Sequence, residues 1–184
     1  MVLHDKDIRE PLFLYLEELH DKVRVLEEKE IGGARADIVM ILPDKVCGIE
    51  IKSDADSYTR LASQVKWYDR FFDENYIVVG STHASHAQEH VPDHWGIISV
   101  EYYKNYFDFY FVRRASQNNK SNIKYKMHML WRRELKDMII RNKLRGYSKS
   151  KSNMIDRLIK SVPESELHKQ ISDELFERDY TVFY

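Results

Sequence analysis

Two short runs decide the fold: Ala36-Asp37-Ile38-Val39-Met40-Ile41-Leu42 and Val46-Cys47-Gly48-Ile49-Glu50-Ile51-Lys52. The first is β-branched and almost wholly apolar, which suits a strand buried on both faces. The second has the same character. Pro43-Asp44-Lys45 between them is turn chemistry, so the pair reads as a hairpin. The anomaly is the charge inside these runs. Carboxylates and an ammonium in apolar strands are costly unless they are paired or bind a cation. Glu50 and Lys52 are two residues apart and share a face. A two-residue loop at Pro43-Asp44 sets Asp37 across from Glu50, and a loop at Asp44-Lys45 sets it across from Lys52. Either register gathers all three side chains on one face, where cross-strand Cβ atoms are roughly 4.5–5.5 Å apart. A register between the two would split the trio.

Working outward, Asp7 reads as an N-cap, followed by Ile8, Leu12, Tyr15, Leu16 and Leu19 at helical spacing, with Pro11 in the first turn. Lys22 to Lys29 reads as a short strand ended by Gly32-Gly33. On the other side, Asp54, Asp56 and Ser57 read as caps for a helix from about Tyr58 to Phe72, with Leu61, Val65, Tyr68 and Phe72 on one face. Tyr76 to Val79 and Gly96 to Val100 read as strands, His83 to His90 as a short helix, and Tyr102 to Val112 as one or two strands. After Val112 the character changes. Residues 113–126 are polar and basic like a loop, and helical patterns follow at about 127–144, 150–161 and 164–178. The expected division is a core over 1–112 and a basic helical region over 113–184.

The chain has 184 residues, 43% hydrophobic and 32% charged, with only 6 Gly and 4 Pro, which excludes collagenous and wholly disordered classes. Cys47 is the single cysteine, so no internal disulfide forms and a reducing compartment fits. No apolar run approaches the roughly 20 residues of a membrane span. Met1 to Glu10 lacks the apolar core of a signal peptide. The expectation is a cytoplasmic protein away from membranes. The net charge of -1 conceals an asymmetry: residues 113–160 hold 15 Lys/Arg against three acids, and the rest holds 14 against 27. That block reads either as a phosphate-facing surface or as the counterweight to the acidic half.

Asp37, twelve intervening residues, then Glu50-Ile51-Lys52 resembles the active-site motif of the PD-(D/E)XK nuclease superfamily. Ala36 stands where that motif usually has Pro. Gln64-Val65-Lys66-Trp67-Tyr68 is similar to the QxxxY motif of its RecB-like branch. The stretches Ala34 to Val39 and Glu50 to Asp54, with Pro92 and Trp95-Gly96 downstream, resemble small bacterial and phage members. The resemblance covers roughly residues 7 to 100. It implies an α/β restriction-endonuclease-like αβββαβ core with a mixed sheet, carrying a basic helical C-terminal extension. It also implies Mg²⁺- or Mn²⁺-dependent hydrolysis of DNA phosphodiesters. Asp37 and Glu50 are hard oxygen ligands of the kind such ions take, and the resemblance adds the Ile51 carbonyl. Lys52 would assist the nucleophile or the transition state. Gln64 and Tyr68, one helical turn apart, would position water and phosphate. A supporting acid is expected from Glu28 or Glu10. A homodimer is a candidate assembly, since similar enzymes that cut both strands dimerise.

Residues 130–158 have a weaker similarity to SAP-type DNA-binding motifs, through Leu135 to Ile139, Gly146-Tyr147-Ser148-Lys149 and Met154 to Ile159. A plain helical hairpin packed on the core is an equal reading. Either way Arg141, Lys143, Arg145, Lys149 and Lys151 are candidates for phosphate contacts, which give register but no base specificity. His86 and His90 stand four apart, yet no Cys completes a zinc site, and they read as a surface helix. Two alternatives keep the same fold: a catalytically inactive DNA-binding module, or a phage or bacterial regulator that binds a protein partner.

Overall fold

In this computed structural model, residues 3–146 and 150–181 are described. They form α1 (Asp5–Leu19), β1 (Arg24–Ile31), β2 (Ala34–Ile41), β3 (Val46–Lys52), α2 (Leu61–Phe71), β4 (Glu74–Gly80), α3 (Ser81–Ala84), β5 (Gly96–Tyr103) and β6 (Tyr106–Arg113). The helices α4 (Ile123–Met127), α5 (Arg132–Arg141), α6 (Lys151–Ser161) and α7 (Glu164–Phe176) follow. The six strands make one mixed sheet in chain order. β1, β2 and β3 are antiparallel neighbours, β3, β4 and β5 run parallel, and β6 returns antiparallel. None of the described helices is long and apolar enough to cross a membrane.

Alternation along the strands produces two apolar layers. Ile38, Met40, Cys47, Ile49, Ile51, Val78 and Ile98 face one side, where Ile8, Leu12 and Leu16 of α1 cover them. Val39, Ile41, Val46, Ile77, Val79 and Ile97 face the other, where Leu61 and Tyr68 of α2 and Phe72 just after it pack. Met127, Leu135, Met138, Ile155, Leu158, Leu167 and Ile171 from α4–α7 join this second layer, so the basic region and the sheet share one core.

The hairpin forms as its residues require. Met40 faces Cys47 and Ile41 faces Val46, and the Leu42 N–H reaches the Lys45 carbonyl across Pro43-Asp44. Several boundaries differ from the sequence expectation. α1 begins at Asp5, because Asp7 accepts from the His4 N–H as the third helical residue rather than acting as the N-cap. Pro11 therefore lies inside the helix. α2 begins at Leu61, since Asp56 is engaged with the Ser53 N–H and hydroxyl, and Asp54 with Thr82. The expected helix over 83–90 splits into α3 and a 3-10 turn at Ala87–Glu89. The expected helix over 127–144 breaks after α4 and restarts at α5, where Glu134 accepts from the Trp131 N–H. The aromatic run after Val100 becomes a hairpin turning at Lys104 and Asn105, both left-handed at φ 47° and 67°.

Gly48 sets the distance between α2 and the sheet. A Cβ there would lie 2.2 Å from a Phe72 ring carbon and 2.7 Å from a Tyr68 ring carbon. Gly48→Ala should therefore lower stability in urea unfolding by about 1–3 kcal/mol, the usual cost of forcing a methyl into a packed core. An unchanged urea midpoint would show that α2 is free to move outward.

Candidate functional site

The site is built at a fork in the sheet. β2 pairs with β3 only as far as Ile38 and Ile49, while Ala34, Arg35 and Ala36 stay with β1. Where the next β2–β3 rung would fall, the Ile51 N–H instead donates to Asp37 Oδ2 at 2.9 Å. Tyr68 from α2 fills the gap. Its hydroxyl accepts from the Asp37 N–H at 3.2 Å and donates to Glu50 Oε2 at 2.7 Å, with the Ile49 carbonyl 3.2 Å away. The fork opens at the carboxyl end of β3, where open α/β sheets receive ligands. A cavity of about 590 Å³ lies there, and Asp37, Glu50, Ile51, Lys52 and Gln64 line it.

Within the cavity Glu50 is almost fully buried and accepts from three donors of the chain, one of them the Tyr68 hydroxyl. Its Oε1 accepts from Lys52 Nζ and Gln64 Nε2, both at 2.5 Å, and Lys52 Nζ is 3.3 Å from Gln64 Oε1. An ammonium has three N–H donors, so one of Lys52's is left over from these two contacts. Burial pushes the Asp37 carboxyl up to about 7, and the charge of Glu50 adds to the rise, against the Ile51 N–H and Lys52. Two carboxylates thus share one cavity, and its buried surroundings favour the neutral form of Asp37. That donor pair suits a hard divalent cation, with Asp37 and Glu50 as oxygen ligands and main-chain or water oxygens completing the shell. Among the described residues no group of three or more His, Cys, Asp or Glu is placed to hold a metal.

Glu28 also lines the cavity, at a φ of 52° rarely taken by a residue with a side chain. Its carboxylate meets Arg35 and, at 2.6 Å, Arg9 of α1. Of the two expected supporting acids, Glu10 is exposed and outside the cavity, and Asp5 lines it instead. The reason is helical phase: Asp5 and Arg9, four apart, are joined at 2.8 Å and turn toward the strands. That i, i+4 pair was the available sequence signal. Arg60, at the start of α2, lines the cavity and is exposed.

The basic candidates lie apart from this cavity. Arg141 pairs with Glu174 at 2.6 Å, and Lys151 donates to the His128 carbonyl at 2.8 Å. Lys143 and Arg145 are exposed, and Lys149 lies outside the described residues, as do Tyr147 and Ser148 of the SAP-like turn. Other cations of the block pair with acids of the first half: exposed Lys120 with Asp69 at 3.1 Å, and buried Lys126 with Asp73. Asp69, not singled out from sequence, also accepts from His94 Nε2 and Trp95 Nε1 at 2.9 and 2.8 Å. Among the histidines, His83 and His90 pack on the Tyr58 ring, and His86 pairs with Glu89.

A family model described as bacteriophage P4 protein cII matches residues 12–182. No curated protein and no solved structure matches. The match corrects the resemblance drawn from Asp37, Glu50-Ile51-Lys52, Gln64 and Tyr68. The family over this chain is the phage one, not the PD-(D/E)XK nuclease superfamily, and its span also takes in the stretch likened to SAP motifs. A short D-x(n)-E-x-K pattern arises in unrelated chains, whereas a match over most of the chain does not.

The raised Asp37 carboxyl has a consequence for stability. A group whose folded pKa lies above its unfolded value stabilises the fold fully below the unfolded value, and that contribution is lost as pH rises through the folded one. With an ordinary carboxyl value of 3.8 and a folded value of about 7, Asp37 makes the metal-free protein less stable as pH rises across that window. Urea unfolding at pH 4.5, 6 and 8 should show a decline, by an amount on the order of a few kcal/mol, that Asp37→Asn removes. An equal decline in both proteins would assign it elsewhere.

Proposed function

The chain belongs to the bacteriophage P4 cII family, whose description states no chemistry, and we propose from the site that it hydrolyses nucleic-acid phosphodiesters at a divalent-cation centre. The observation that carries this reading is the grouping of Asp37, Glu50, Lys52 and Gln64 around one open cavity at the fork. The order of α1, the β1–β2–β3 meander, α2 and the parallel β4 is also the arrangement of a restriction-endonuclease-like core. This supports the finer fold assignment as architecture alone.

Asp37 and Glu50 would hold Mg²⁺ or Mn²⁺, with the Ile51 carbonyl as a third candidate ligand. Such an ion lowers the pKa of a bound water and steadies a phosphate oxygen. The chain's own groups supply the rest. Lys52 directs its remaining N–H toward the attacking water or the phosphoryl oxygens, where negative charge grows. Gln64 bridges Lys52 and Glu50 and keeps the ammonium aimed into the cavity. Tyr68 does not reach solvent; it holds the fork open and fixes the Glu50 carboxylate. Water adds to phosphorus, the bond to the leaving oxygen breaks, and that oxygen takes up a proton. DNA is the proposed substrate, with exposed Arg60, Lys143 and Arg145 as cations available to its backbone.

The family match favours a second reading. In a phage regulator that binds DNA or a protein, the Glu50–Lys52–Gln64–Tyr68 network would serve as a closed internal ion-pair network. One experiment separates the two. Purified protein is incubated with Mg²⁺ or Mn²⁺ and linear, circular and single-stranded DNA, beside EDTA, Glu50→Ala and Lys52→Ala. Hydrolysis predicts cation-dependent cutting that falls at least about a hundred-fold in each variant. Binding to DNA with a steep salt dependence but no cutting by folded protein would establish the regulator instead.

A further inference from the structure

Arg9 reaches from α1 to the wall of the site cavity, and it is fully occupied there. A guanidinium has five N–H donors. Nε lies 3.2 Å from both Asp5 carboxylate oxygens. Nη1 lies 3.2 Å from Glu27 Oε2 and 3.5 Å from the Asp37 carbonyl. Nη2 lies 2.8 Å from Asp5 Oδ2 and 2.6 Å from Glu28 Oε1. All five donors have acceptors, so Arg9 has none left for a phosphate. Its charge is directed at the acids of the site itself, and Asp37 Oδ1 lies 3.7 Å from Nη2.

Asp37 therefore stands between two cations, each already paired with acids. On one side is the Glu50–Lys52–Gln64 group, and on the other is the Arg9 guanidinium with Asp5 and Glu28. Two-ion phosphoryl-transfer centres place paired cations roughly 3.5–4 Å apart. Here a covalently attached cation, Arg9, stands 3.7 Å from the Asp37 carboxylate. We infer that Arg9 serves as that second cation, so the centre accepts a single divalent ion, at Asp37 and Glu50. This rests on the proposed reading of the cavity as a cation centre. Arg9 is then a positioning residue. It neutralises the acids that crowd Asp37, and it holds α1 and the left-handed Glu28 against the fork. Arg35, on the other Glu28 oxygen, is mostly exposed and completes the same charge balance.

Counting bound ions tests the inference without an activity assay. Mn²⁺ is titrated into the full chain and the free ion is followed by electron paramagnetic resonance, with circular dichroism to confirm folding. Wild type and Arg9→Lys should bind one ion, and Arg9→Met should bind two, the second between the released Asp5 and Glu28 carboxylates. Two ions on wild type, or one on folded Arg9→Met, would overturn the inference while leaving the cation centre in place. No ion on wild type would remove the centre itself, and the inference with it. Should Arg9→Met not fold, Glu28→Gln decides. If Glu28 serves Arg9, Mn²⁺ affinity stays within about two-fold, and a loss of about ten-fold makes Glu28 an ion ligand and overturns the assignment.

Discussion

The structure depends on where two antiparallel strands part. β2 and β3 pair through Ile38 and Ile49 and then separate, because Asp37 takes the Ile51 N–H that a regular ladder would give to a main-chain carbonyl. A sheet that splits leaves main-chain groups unpaired, and buried unpaired groups are costly. The Tyr68 hydroxyl answers that cost by meeting the Asp37 N–H and the Glu50 carboxylate in the gap. Tyr68 can reach this point only because Gly48 lets α2 lie close on β3. The cavity, the charges in it and the helix behind it are thus one arrangement, and a change at any of Asp37, Gly48 or Tyr68 disturbs the other two.

Charge organises the remaining molecule in a similar way. The basic block after Val112 is partly folded back onto acids of the first half. Lys120 meets Asp69, Lys126 meets Asp73, and the Asp69 carboxylate also takes the Trp95 indole N–H. Asn118 donates to the carbonyls of Asp69 and Phe72 at 2.8 Å, fastening the start of this region to the end of α2. Further on, Arg178 and Glu134, both buried, join at 2.7 Å and tie the chain after α7 to α5. Buried pairs of this kind add little net stability, yet losing one partner is costly, so they specify how the layers dock. Among the described cations of the block only Lys126 is buried, and most of the others, Lys143 and Arg145 among them, stay exposed.

The fold was legible where local chemistry is strong. The Pro43-Asp44 turn and the period-2 apolar runs on either side admit few registers, and the structure adopts the one that sets Asp37 across from Glu50. Gln64 and Tyr68 were legible because four residues make one helical turn. Legibility failed where a polar side chain has several local uses. Asp7, Asp54 and Asp56 all look like caps, but they bind the His4 N–H, Thr82 and Ser53. It failed again for Arg9, whose partners Glu27, Glu28 and Asp37 are 18 to 28 residues away. A family assignment from a few matching letters failed for a different reason. Those letters report residue types that suit a charged cavity, while descent is carried by the whole of residues 12–182.

By itself the sequence determined the hairpin, the layered α/β plan and the shared face of Asp37, Glu50 and Lys52, because apolar periodicity and turn residues act over a few positions. Only the tertiary structure decided that the strands fork at Asp37, that Glu28 and Asp5 rather than Glu10 stand at the cavity, and that Arg9 neutralises them. Those outcomes depend on which hydrogen-bonding groups lose water when α1 and α2 close on the sheet. That balance of desolvation against new partners is set between segments distant in sequence, so no local pattern records it.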